Sequence, residues 1–321
     1  MLAMQCKFSA FLWHFTLTQS IGHCCGLLHA ADHFDDGSSL LQVRTKITRS
    51  SNTTVKAVGS TKIPCYIHQT WKTNDVSQLE SWMKQSANAW KNTNPECEHR
   101  IWSDEEAEKF MQTNYPEIAV AWPVLKPIER ADLFRYAVVH TFGGFYSDID
   151  VMDIFPISWW HIPDDTELVV GYETGWHFAE DTRRQANFRR NEQFEQWFFG
   201  AVPGHPVLKE CLNLFQEKRQ WGIEEVVELT GPGSFTDAVH EYFWSAVANK
   251  TGKSIGEAET AIQRLLQNGT QGMMFPPGPG PEGSHVYILS ADQVSVPGFS
   301  SHISPNILIR HTFKGTWKEK H

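Results

Sequence analysis

The sequence lacks an excess of positive charge. Its 28 lysines and arginines are outnumbered by 37 aspartates and glutamates, which gives a formal net charge of −9. Proteins that bind nucleic acid normally carry a basic surface, because contacts with the phosphates supply much of the affinity. The composition therefore predicts no nucleic-acid partner. A small anionic ligand would have to be bound through local arginines or through a metal ion.

Charged residues are also absent from residues 8–31, which contain no Asp, Glu, Lys or Arg. An uncharged stretch of this length can cross a bilayer, which needs about 20 residues. Its Leu-Leu-His-Ala-Ala end is also compatible with cleavage of a signal peptide. We predict that residues 1–31 are a signal anchor or a signal peptide. Residues 32–61 are polar, rich in Ser and Thr and aperiodic, which is typical of a flexible stem.

Cysteine usage does not decide the redox compartment. Three of the six cysteines lie in the N-terminal segment, and Cys65, Cys97 and Cys211 remain in the body as an odd number. A Cys65–Cys97 bridge and buried free thiols are both compatible with this pattern. Asn-X-Thr sequons for N-glycosylation begin at Asn52, Asn249 and Asn268. Together with an apolar N-terminus, these sequons favour the lumen of the secretory pathway.

The body of the chain alternates short apolar runs with amphipathic stretches. Residues 63–71 (IPCYIHQTW) predict a buried strand, residues 76–92 a helix, and residues 99–104 (HRIWSD) a second strand. Ser103 is a suitable cap for the helix that follows. Strands that alternate with helices in this way are typical of a parallel sheet with helical crossovers, so we predict an α/β domain.

A further helix is predicted from Pro127 to the Gly-Gly pair that begins at Gly143. Asp132 and Arg135 are three residues apart on this helix and therefore share one face. An ordinary surface ion pair is the plain explanation for such a pair, because these pairs are common and weak.

Two aspartates end the next segment, FYSDIDV at residues 145–151. If the segment is extended throughout, its side chains alternate, so that Tyr146, Asp148 and Asp150 lie on one side. Two carboxylates that close repel each other, and the burial of either costs free energy. A divalent cation between them removes both problems, and oxygen ligands suit Mg²⁺ or Mn²⁺ bound to a diphosphate. A solvated turn is the plain alternative.

A histidine follows the predicted strand NILIR at residues 306–310, far along the chain from the aspartates. Two carboxylates alone leave a Mn²⁺ site short of ligands, and imidazole suits Mn²⁺ better than it suits Mg²⁺ or Ca²⁺. We predict that folding brings His311 to the metal that Asp150 holds. A histidine that bonds only to backbone at a strand end is the alternative.

Several segments, taken in order, resemble glycosyltransferase family thirty-two. They are IPCYIHQTWK, IWSD, RADLFRYAVVHTFGGFYSDIDV, PGHPVL, TGPGSFTDAV and RHTFKGTW. This is the family of the fungal initiation-specific α-1,6-mannosyltransferase and of the mannosyltransferases that act on inositol phosphorylceramide. The resemblance covers about residues 62–318 and is most specific from Arg130 to Val151. It implies a GT-A fold over residues 62–321, with a Rossmann-like, mixed and mostly parallel sheet flanked by helices.

The resemblance also implies a function. Family members carry out a metal-dependent, retaining transfer of a hexose, usually mannose from GDP-mannose, and the implied acceptor is a glycan or glycolipid. The residues implied to bind the donor are His68, Gln69, Thr70, Trp71, Asp132, Arg135, Tyr146, Asp148 and Trp317. The residues implied to act in catalysis are Asp148, Asp150 and Arg135. Asp150 and His311 are implied to hold Mn²⁺ (or Mg²⁺). The expected location is a Golgi or other secretory-pathway membrane with a lumenal catalytic domain, or secretion.

Three other functions compete with this hypothesis. A transferase of the same fold can use a UDP-sugar as its donor. A D-x-D phosphatase is disfavoured, because Met152 stands where such enzymes usually have Thr or Val and the motif lies in the middle of the chain. A non-catalytic sugar-binding module is disfavoured by the intact acidic pair. No residue of the sequence identifies itself as a covalent nucleophile, which favours front-face attack in a retaining reaction.

Overall fold

The computed structural model describes residues 62–174, 190, 193–251, 254, 273–275, 286–290, 293–295 and 306–312. All of them belong to the compact unit Val55–His321. The predicted N-terminal segment, the predicted stem and Trp317 lie outside the described residues. Within the described part of the chain, no helix is both long enough and apolar enough to span a membrane.

A seven-stranded central sheet has the strand order β2-β1-β3-β6-β5-β8-β7. The strands are β1 (Tyr66–Thr70), β2 (Glu98–Trp102), β3 (Gly144–Ser147), β5 (Leu168–Thr174), β6 (Gln193–Ala201), β7 (Met273–Phe275) and β8 (Val286–Leu289). Among the strands described, only β6 and β7 run against the others. The predicted α/β class, with a mixed and mostly parallel sheet, is therefore confirmed.

A second, three-stranded sheet has the order β4-β10-β9. Its strands are β4 (Val151–Asp153), β9 (Val294–Ser295) and β10 (Ile309–His311). Strand β10 is antiparallel to β4 and parallel to β9. This small sheet joins the chain just after the paired aspartates to a strand from the C-terminal part of the chain.

The described helices lie on both faces of the central sheet. They are α1 (Ser81–Thr93), α2 (Asp104–Asn114), α3 (Pro116–Ala119), α4 (Pro127–Phe142), α5 (Pro206–Gln220), α6 (Val226–Leu229) and α7 (Pro232–Thr251). Side chains of α2, α4, α5 and α7 form one apolar core with the sheet. On the other face, α1 and the second sheet form two further apolar clusters. This double covering is typical of sheets built from parallel strands.

Local sequence signals explain where the helices that frame the site begin and end. Ser103 caps α2 in a full capping box with Glu106, as its position in the sequence predicts. Helix α4 begins with Pro127 and ends at Phe142. Gly143 and Gly144 follow with φ angles of 68° and 94°, which favour glycine strongly. A Cβ atom on Gly144 would lie 2.6 Å from the Tyr66 carbonyl oxygen, so glycine also allows β3 to approach β1.

A disulfide joins Cys65 to Cys97, and Cys211 is a buried free thiol. The bridge connects the chain just before β1 to the chain just before β2, so it closes a loop that contains α1. In the chain-entropy model, a loop of this size stabilises the fold by roughly 3–4 kcal/mol. The structure thus decides between the two alternatives that the cysteine count leaves open.

Glu195, on β6, is buried in an unusual way. Its side chain is 0% exposed, and neither carboxyl oxygen has a hydrogen-bond partner among the residues that the structure describes. A Cβ atom on Gly171 of the neighbouring strand would overlap the Glu195 carboxyl group, so the glycine leaves the space that this side chain fills. Burial raises the pKa of Glu195 well above its usual value, and the nearby Glu173 raises it further.

The raised pKa of Glu195 predicts that stability falls as pH rises. Above about pH 4.3 the unfolded chain releases this proton, whereas the folded chain keeps it, so the unfolded state gains stability up to the folded-state pKa. We expect Glu195→Gln to be more stable than the wild type at pH 8 by at least about 1 kcal/mol, because the charge no longer has to be buried or neutralised. Urea unfolding from pH 5 to pH 8 measures this effect.

The matched control is Glu98→Gln, which changes an exposed glutamate on β2. It should follow the pH dependence of the wild type. An equal pH slope for Glu195→Gln and the wild type would contradict the prediction. Some slope should remain in the variant, since burial also raises the pKa of Glu173.

Candidate metal and donor site

The candidate site lies at one edge of the central sheet. Strands β1, β3, β5 and β8 all end at this edge, and the antiparallel strand β6 begins there. Side chains that follow these strand ends therefore meet in one place, as in other open α/β sheets. Asp148 is the first residue after β3, and its amide donates to the carbonyl oxygen of Trp197 on β6 at 2.8 Å.

The two aspartates lie on a turn between the sheets. Strand β3 ends at Ser147, and the chain turns through Ile149 and Asp150, with the Val151 amide donating to the Asp148 carbonyl oxygen at 3.0 Å. The prediction that residues 145–151 are extended throughout is therefore wrong. The physical reason is that the chain changes sheets here, because β4 pairs with β10 instead of continuing along β6.

The turn nevertheless brings both carboxylates to the same side. One ligand atom from each of Asp148, Asp150 and His311 lies within 4.8 Å of the other two. Ile149 points away from them and is buried in the cluster that contains Met83 of α1. The common orientation that strand alternation predicts is confirmed, although a turn produces it.

His311 reaches the aspartates through the pairing of β10 with β4, in which it lies opposite Val151. Its Nε2 atom is 3.0 Å from Asp150 Oδ1. Its ring is stacked on the indole of Trp197, with centroids 4.8 Å apart and an angle of 14° between the planes. The predicted approach of His311 to Asp150 is confirmed, and its role as a metal ligand stays a prediction.

The donor set of this triad fits a divalent transition-metal ion. Two carboxylates and an imidazole are suitable ligands for Mn²⁺, whereas Mg²⁺ prefers oxygen ligands alone. The side chains of Asp148 and Asp150 are 25% and 14% exposed, so they combine burial with access. The Asp148–Asp150–His311 triad can therefore hold an ion that keeps open positions for a ligand.

Asp148 is held by contacts from three elements, β3, α4 and β1. Tyr146 donates its hydroxyl to Asp148 Oδ1 at 2.8 Å, and Arg135 Nη2 lies 3.3 Å from the same oxygen. Gln69 donates its amide to the Asp148 carbonyl oxygen at 3.2 Å. Burial raises the pKa of Asp148, and the positive charge of Arg135 counteracts part of this rise. These contacts fix the orientation of the carboxylate.

Arg135 lies beneath Asp148 and is only 3% exposed. Besides its contact with Asp148, its Nη2 atom is 3.1 Å from Asp132 Oδ1, and its Nη1 atom donates to the Gln196 carbonyl oxygen at 3.0 Å. The guanidinium group also lies over the ring of Tyr146, 4.9 Å from the centroid. Arg135 is thus on the cleft side of its helix, but its contacts are to the protein beneath the cleft.

Asp132 lies deeper still and is 0% exposed. Its carboxylate accepts from Thr230 at 2.8 Å and from the Gln196 side-chain amide at 3.2 Å. Burial raises its pKa to about 7, and Arg135 limits the rise. A direct contact of Asp132 and Arg135 with a donor stays a prediction, and the structure places both side chains one layer below the carboxylates.

The Gly-Pro-Gly segment after Thr230 forms a close contact between α6 and α7. A Cβ atom on Gly231 would lie 2.8 Å from the Cα atom of Val227, and one on Gly233 would lie 2.8 Å from its carbonyl oxygen. The glycines therefore let the two helices approach and bring Thr230 to Asp132. Packing therefore accounts for both glycines.

Comparison with known proteins agrees with this geometry. Residues 79–167 match the family described as "Glycosyltransferase sugar-binding region containing DXD motif", and this range includes the Asp148–Asp150 turn. Over this range the chain is similar to glycosyltransferases that contain a DXD motif. The resemblance that the motifs carry is confirmed.

Proteins similar to this chain include fungal mannosyltransferases. The initiation-specific α-1,6-mannosyltransferase of Schizosaccharomyces pombe is 30% identical over 258 residues, which cover 72% of this chain and 58% of the relative. The Candida albicans protein of the same name is 27% identical over 294 residues, with coverage of 81% and 73%. Inositol phosphoceramide mannosyltransferase 3 of S. pombe is 38% identical over 93 residues, which cover 29% of this chain and 25% of the relative.

A solved structure is also similar to this chain. PaToxG glycosyltransferase matches with a TM-score of 0.45 and 16% identity, which covers 72% of this chain and 85% of that chain. The chain spans less than two thirds of the first curated relative, at 58% of its length.

The four residues from His68 to Trp71, at the end of β1, contribute unequally to the site around Asp148 and Asp150. Gln69 is fully buried and bridges the site to β2, because its Oε1 atom lies 2.8 Å from His99 Nε2 while its amide contacts Asp148. Trp71 is partly buried and packs against the cluster that contains Ile149. These two residues therefore lie beside the DXD turn.

The other two residues of this strand end are bound to backbone. His68 Nε2 lies 3.1 Å from the Gly143 carbonyl oxygen, and burial lowers the pKa of His68 to about 4, so its ring is neutral at pH 7. The Thr70 hydroxyl donates to the Trp102 carbonyl oxygen at 3.3 Å. The predicted donor contacts of His68 and Thr70 stay predictions, as does that of Trp317, which lies outside the described residues.

Sequence patterns did not predict three residues that contact the site residues or the turn that carries them. Trp197 stacks on His311, and Gln196 contacts both Asp132 and Arg135. Thr312 contacts the turn at Asp150. The aromatic-rich segment NEQFEQWFF marks β6 as a buried strand, but no local signal indicates which of its side chains face the aspartates.

Proposed function

We propose that the chain is a metal-dependent, retaining glycosyltransferase that moves a hexose to a glycan or glycolipid acceptor. The observation that carries this proposal is the convergence of Asp148, Asp150 and His311 within 4.8 Å at the C-terminal edge of the sheet. We further propose mannose from GDP-mannose as the donor. The support for mannose is that the relatives in S. pombe and C. albicans are named as mannosyltransferases.

The described residues suggest how the site acts on a nucleotide sugar. Asp150 and His311 would hold a divalent ion, Mn²⁺ in preference to Mg²⁺, and Asp148 would complete the acidic side of the site. When bound, such an ion neutralises the charge that develops on the leaving diphosphate and orients it. Arg135 and Tyr146 fix Asp148 from below, so that the carboxylate does not have to reorganise as the donor binds.

Retention of configuration is proposed to follow from front-face attack. In this mechanism, the acceptor hydroxyl approaches on the side from which the diphosphate leaves. A diphosphate oxygen takes the acceptor proton, and the new glycosidic bond forms as the bond to the diphosphate breaks. The protein supplies orientation and electrostatic stabilisation instead of a covalent nucleophile.

The proposed location is the lumen of the Golgi or of another secretory-pathway compartment. The Cys65–Cys97 disulfide supports it, because disulfides persist in oxidising compartments. The uncharged segment at residues 8–31 supports membrane attachment in a type II orientation, with secretion as the alternative if the segment is cleaved.

A donor-hydrolysis screen tests the proposed activity. The purified chain is incubated with GDP-mannose, UDP-glucose, UDP-galactose or UDP-N-acetylglucosamine, each with Mn²⁺ and with EDTA. We expect hydrolysis of GDP-mannose with Mn²⁺ and none with EDTA. Proton NMR of the first product should show the α-anomer, as retention requires.

Other outcomes of the screen separate the alternatives. Turnover of a UDP-sugar alone would replace the proposed donor while keeping the transferase. If no donor is turned over, even with a mixture of mannose-containing glycans and glycolipids as acceptors, but glycans bind, the chain is a non-catalytic sugar-binding module. Hydrolysis that is unaffected by EDTA would overturn the proposed role of the metal.

A further inference from the structure

The residue after His311 contacts the same aspartate from a different direction. Both the amide nitrogen and the hydroxyl Oγ1 of Thr312 donate to the Asp150 carbonyl oxygen, each at 3.0 Å. His311 contacts the carboxylate of Asp150, whereas Thr312 contacts its backbone. His311 and Thr312, which are consecutive in the chain, therefore hold the side chain and the backbone of Asp150, respectively.

The position of Asp150 in the chain makes this contact important. Asp150 lies in the turn between β3 and β4, one residue before the Val151–His311 pair, so the Thr312 amide extends the antiparallel pairing of β10 with β4 to the Asp150 carbonyl oxygen. At the other side of the turn, the Asp148 carbonyl oxygen is already held by Gln69 and by the Val151 amide. Thr312 supplies the equivalent restraint for Asp150.

We propose that Thr312 is a positioning residue for the metal site. Its hydroxyl fixes the peptide of Asp150, so that the carboxylate and the imidazole of His311 meet in a geometry that binds a divalent cation. The inference rests on the proposed function, because it assumes that Asp150 and His311 are ligands. It adds a residue that contacts neither the metal nor the donor and acts through Asp150.

The size of the effect follows from the role of groups behind metal ligands. Loss of such a group typically weakens metal affinity by about 10- to 100-fold. The Thr312 amide keeps its hydrogen bond when the side chain is changed, so we expect a weakening near the lower end of this range, about 10-fold.

The test measures Mn²⁺ binding directly and not through activity. Mn²⁺ is titrated into the purified full-length chain, and the free ion is followed by its electron paramagnetic resonance signal. Thr312→Val and Thr312→Ala remove the hydroxyl, and Thr312→Ser keeps it. The matched control is Thr113→Val on α2, where an exposed threonine hydroxyl donates to the Lys109 carbonyl oxygen at 2.8 Å, far from the triad in the fold.

The expected result is weaker Mn²⁺ binding in Thr312→Val and Thr312→Ala, with affinity near that of the wild type in Thr312→Ser and Thr113→Val. Thermal unfolding in EDTA identifies the variants that fold, and Thr312→Ala serves if the valine variant does not. Wild-type affinity in a folded variant without the hydroxyl would overturn the inference and leave the proposed function intact. A wild-type chain that binds no Mn²⁺ would overturn both.

Discussion

Asp150→Asn should reduce Mn²⁺-dependent turnover of the nucleotide sugar by about a thousandfold. The substitution keeps the size of the side chain but removes the charge that faces His311 at 3.0 Å. Charge neutralisation of a leaving phosphate by a bound ion supplies several kcal/mol of transition-state stabilisation, and each 1.36 kcal/mol corresponds to about tenfold in rate. The measurements are kcat/KM with GDP-mannose and the Kd for Mn²⁺.

Two further measurements make the Asp150 result specific. Asp104→Asn, which changes an exposed aspartate in the first turn of α2, should leave turnover unchanged. Thermal unfolding of Asp150→Asn in EDTA should show a fold as stable as that of the wild type or slightly more stable, since loss of this charge relieves repulsion with Asp148. If Asp150→Asn kept the turnover and Mn²⁺ affinity of the wild type, Asp150 would not be a ligand.

Arg135→Met should destabilise the fold by about 3–5 kcal/mol, the usual cost of removing one partner from a buried ion pair. The variant leaves Asp132, which is 0% exposed, without its cation. The pKa of Asp132, already raised to about 7, should rise further. Asp148 loses its support at the same time. Urea unfolding at pH 7 measures the stability, and titration with GDP-mannose in the presence of Mn²⁺ measures donor affinity.

Arg135→Lys tests whether charge alone is enough. Lysine keeps the positive charge, but its single ammonium group cannot reproduce the planar fork that reaches Asp132, Asp148 and the Gln196 carbonyl oxygen together. We expect stability and donor affinity between those of the wild type and Arg135→Met. Arg219→Met, an exposed position at the end of α5, is the control and should change stability by no more than about 0.5 kcal/mol. Wild-type behaviour of Arg135→Lys would show that packing and charge suffice here.

Local sequence signals predicted the elements around the site well. The helix from Pro127 to Phe142, its stop at Gly143 and the cap at Ser103 depend on residues that are close in sequence. They are visible without the rest of the chain, because capping and glycine conformations are local properties.

The parts that sequence could not predict depend on distant partners. The turn at Asp150 exists because β4 pairs with β10, which comes from far along the chain. The burial of Arg135 depends on the residues that cover it, such as Gln196 on β6. Side-chain alternation gave the correct side for both aspartates, but the backbone path was wrong because alternation contains no information about a change of sheet.

Ligand chemistry predicted the approach of His311 to Asp150, which no local sequence pattern indicates. Two carboxylates leave a Mn²⁺ site short of ligands, and this predicts that the imidazole of His311 approaches Asp150, as the 3.0 Å distance between their side chains confirms. The disulfide shows the opposite case. Three cysteines in the body leave the pairing of Cys65 with Cys97 undecided until the proximity of the chain segments before β1 and β2 is known.

The position of β10 has a consequence for the order in which the Asp148–Asp150–His311 triad is assembled during synthesis. Asp148 and Asp150 leave the ribosome long before His311 and Thr312, so the nascent chain carries an incomplete ion site while most of the central sheet is already available to fold. The last strand of the small sheet thus acts as a completion step. A chain released before that strand lacks both His311 and the pairing of β10 with β4, so it cannot assemble the triad.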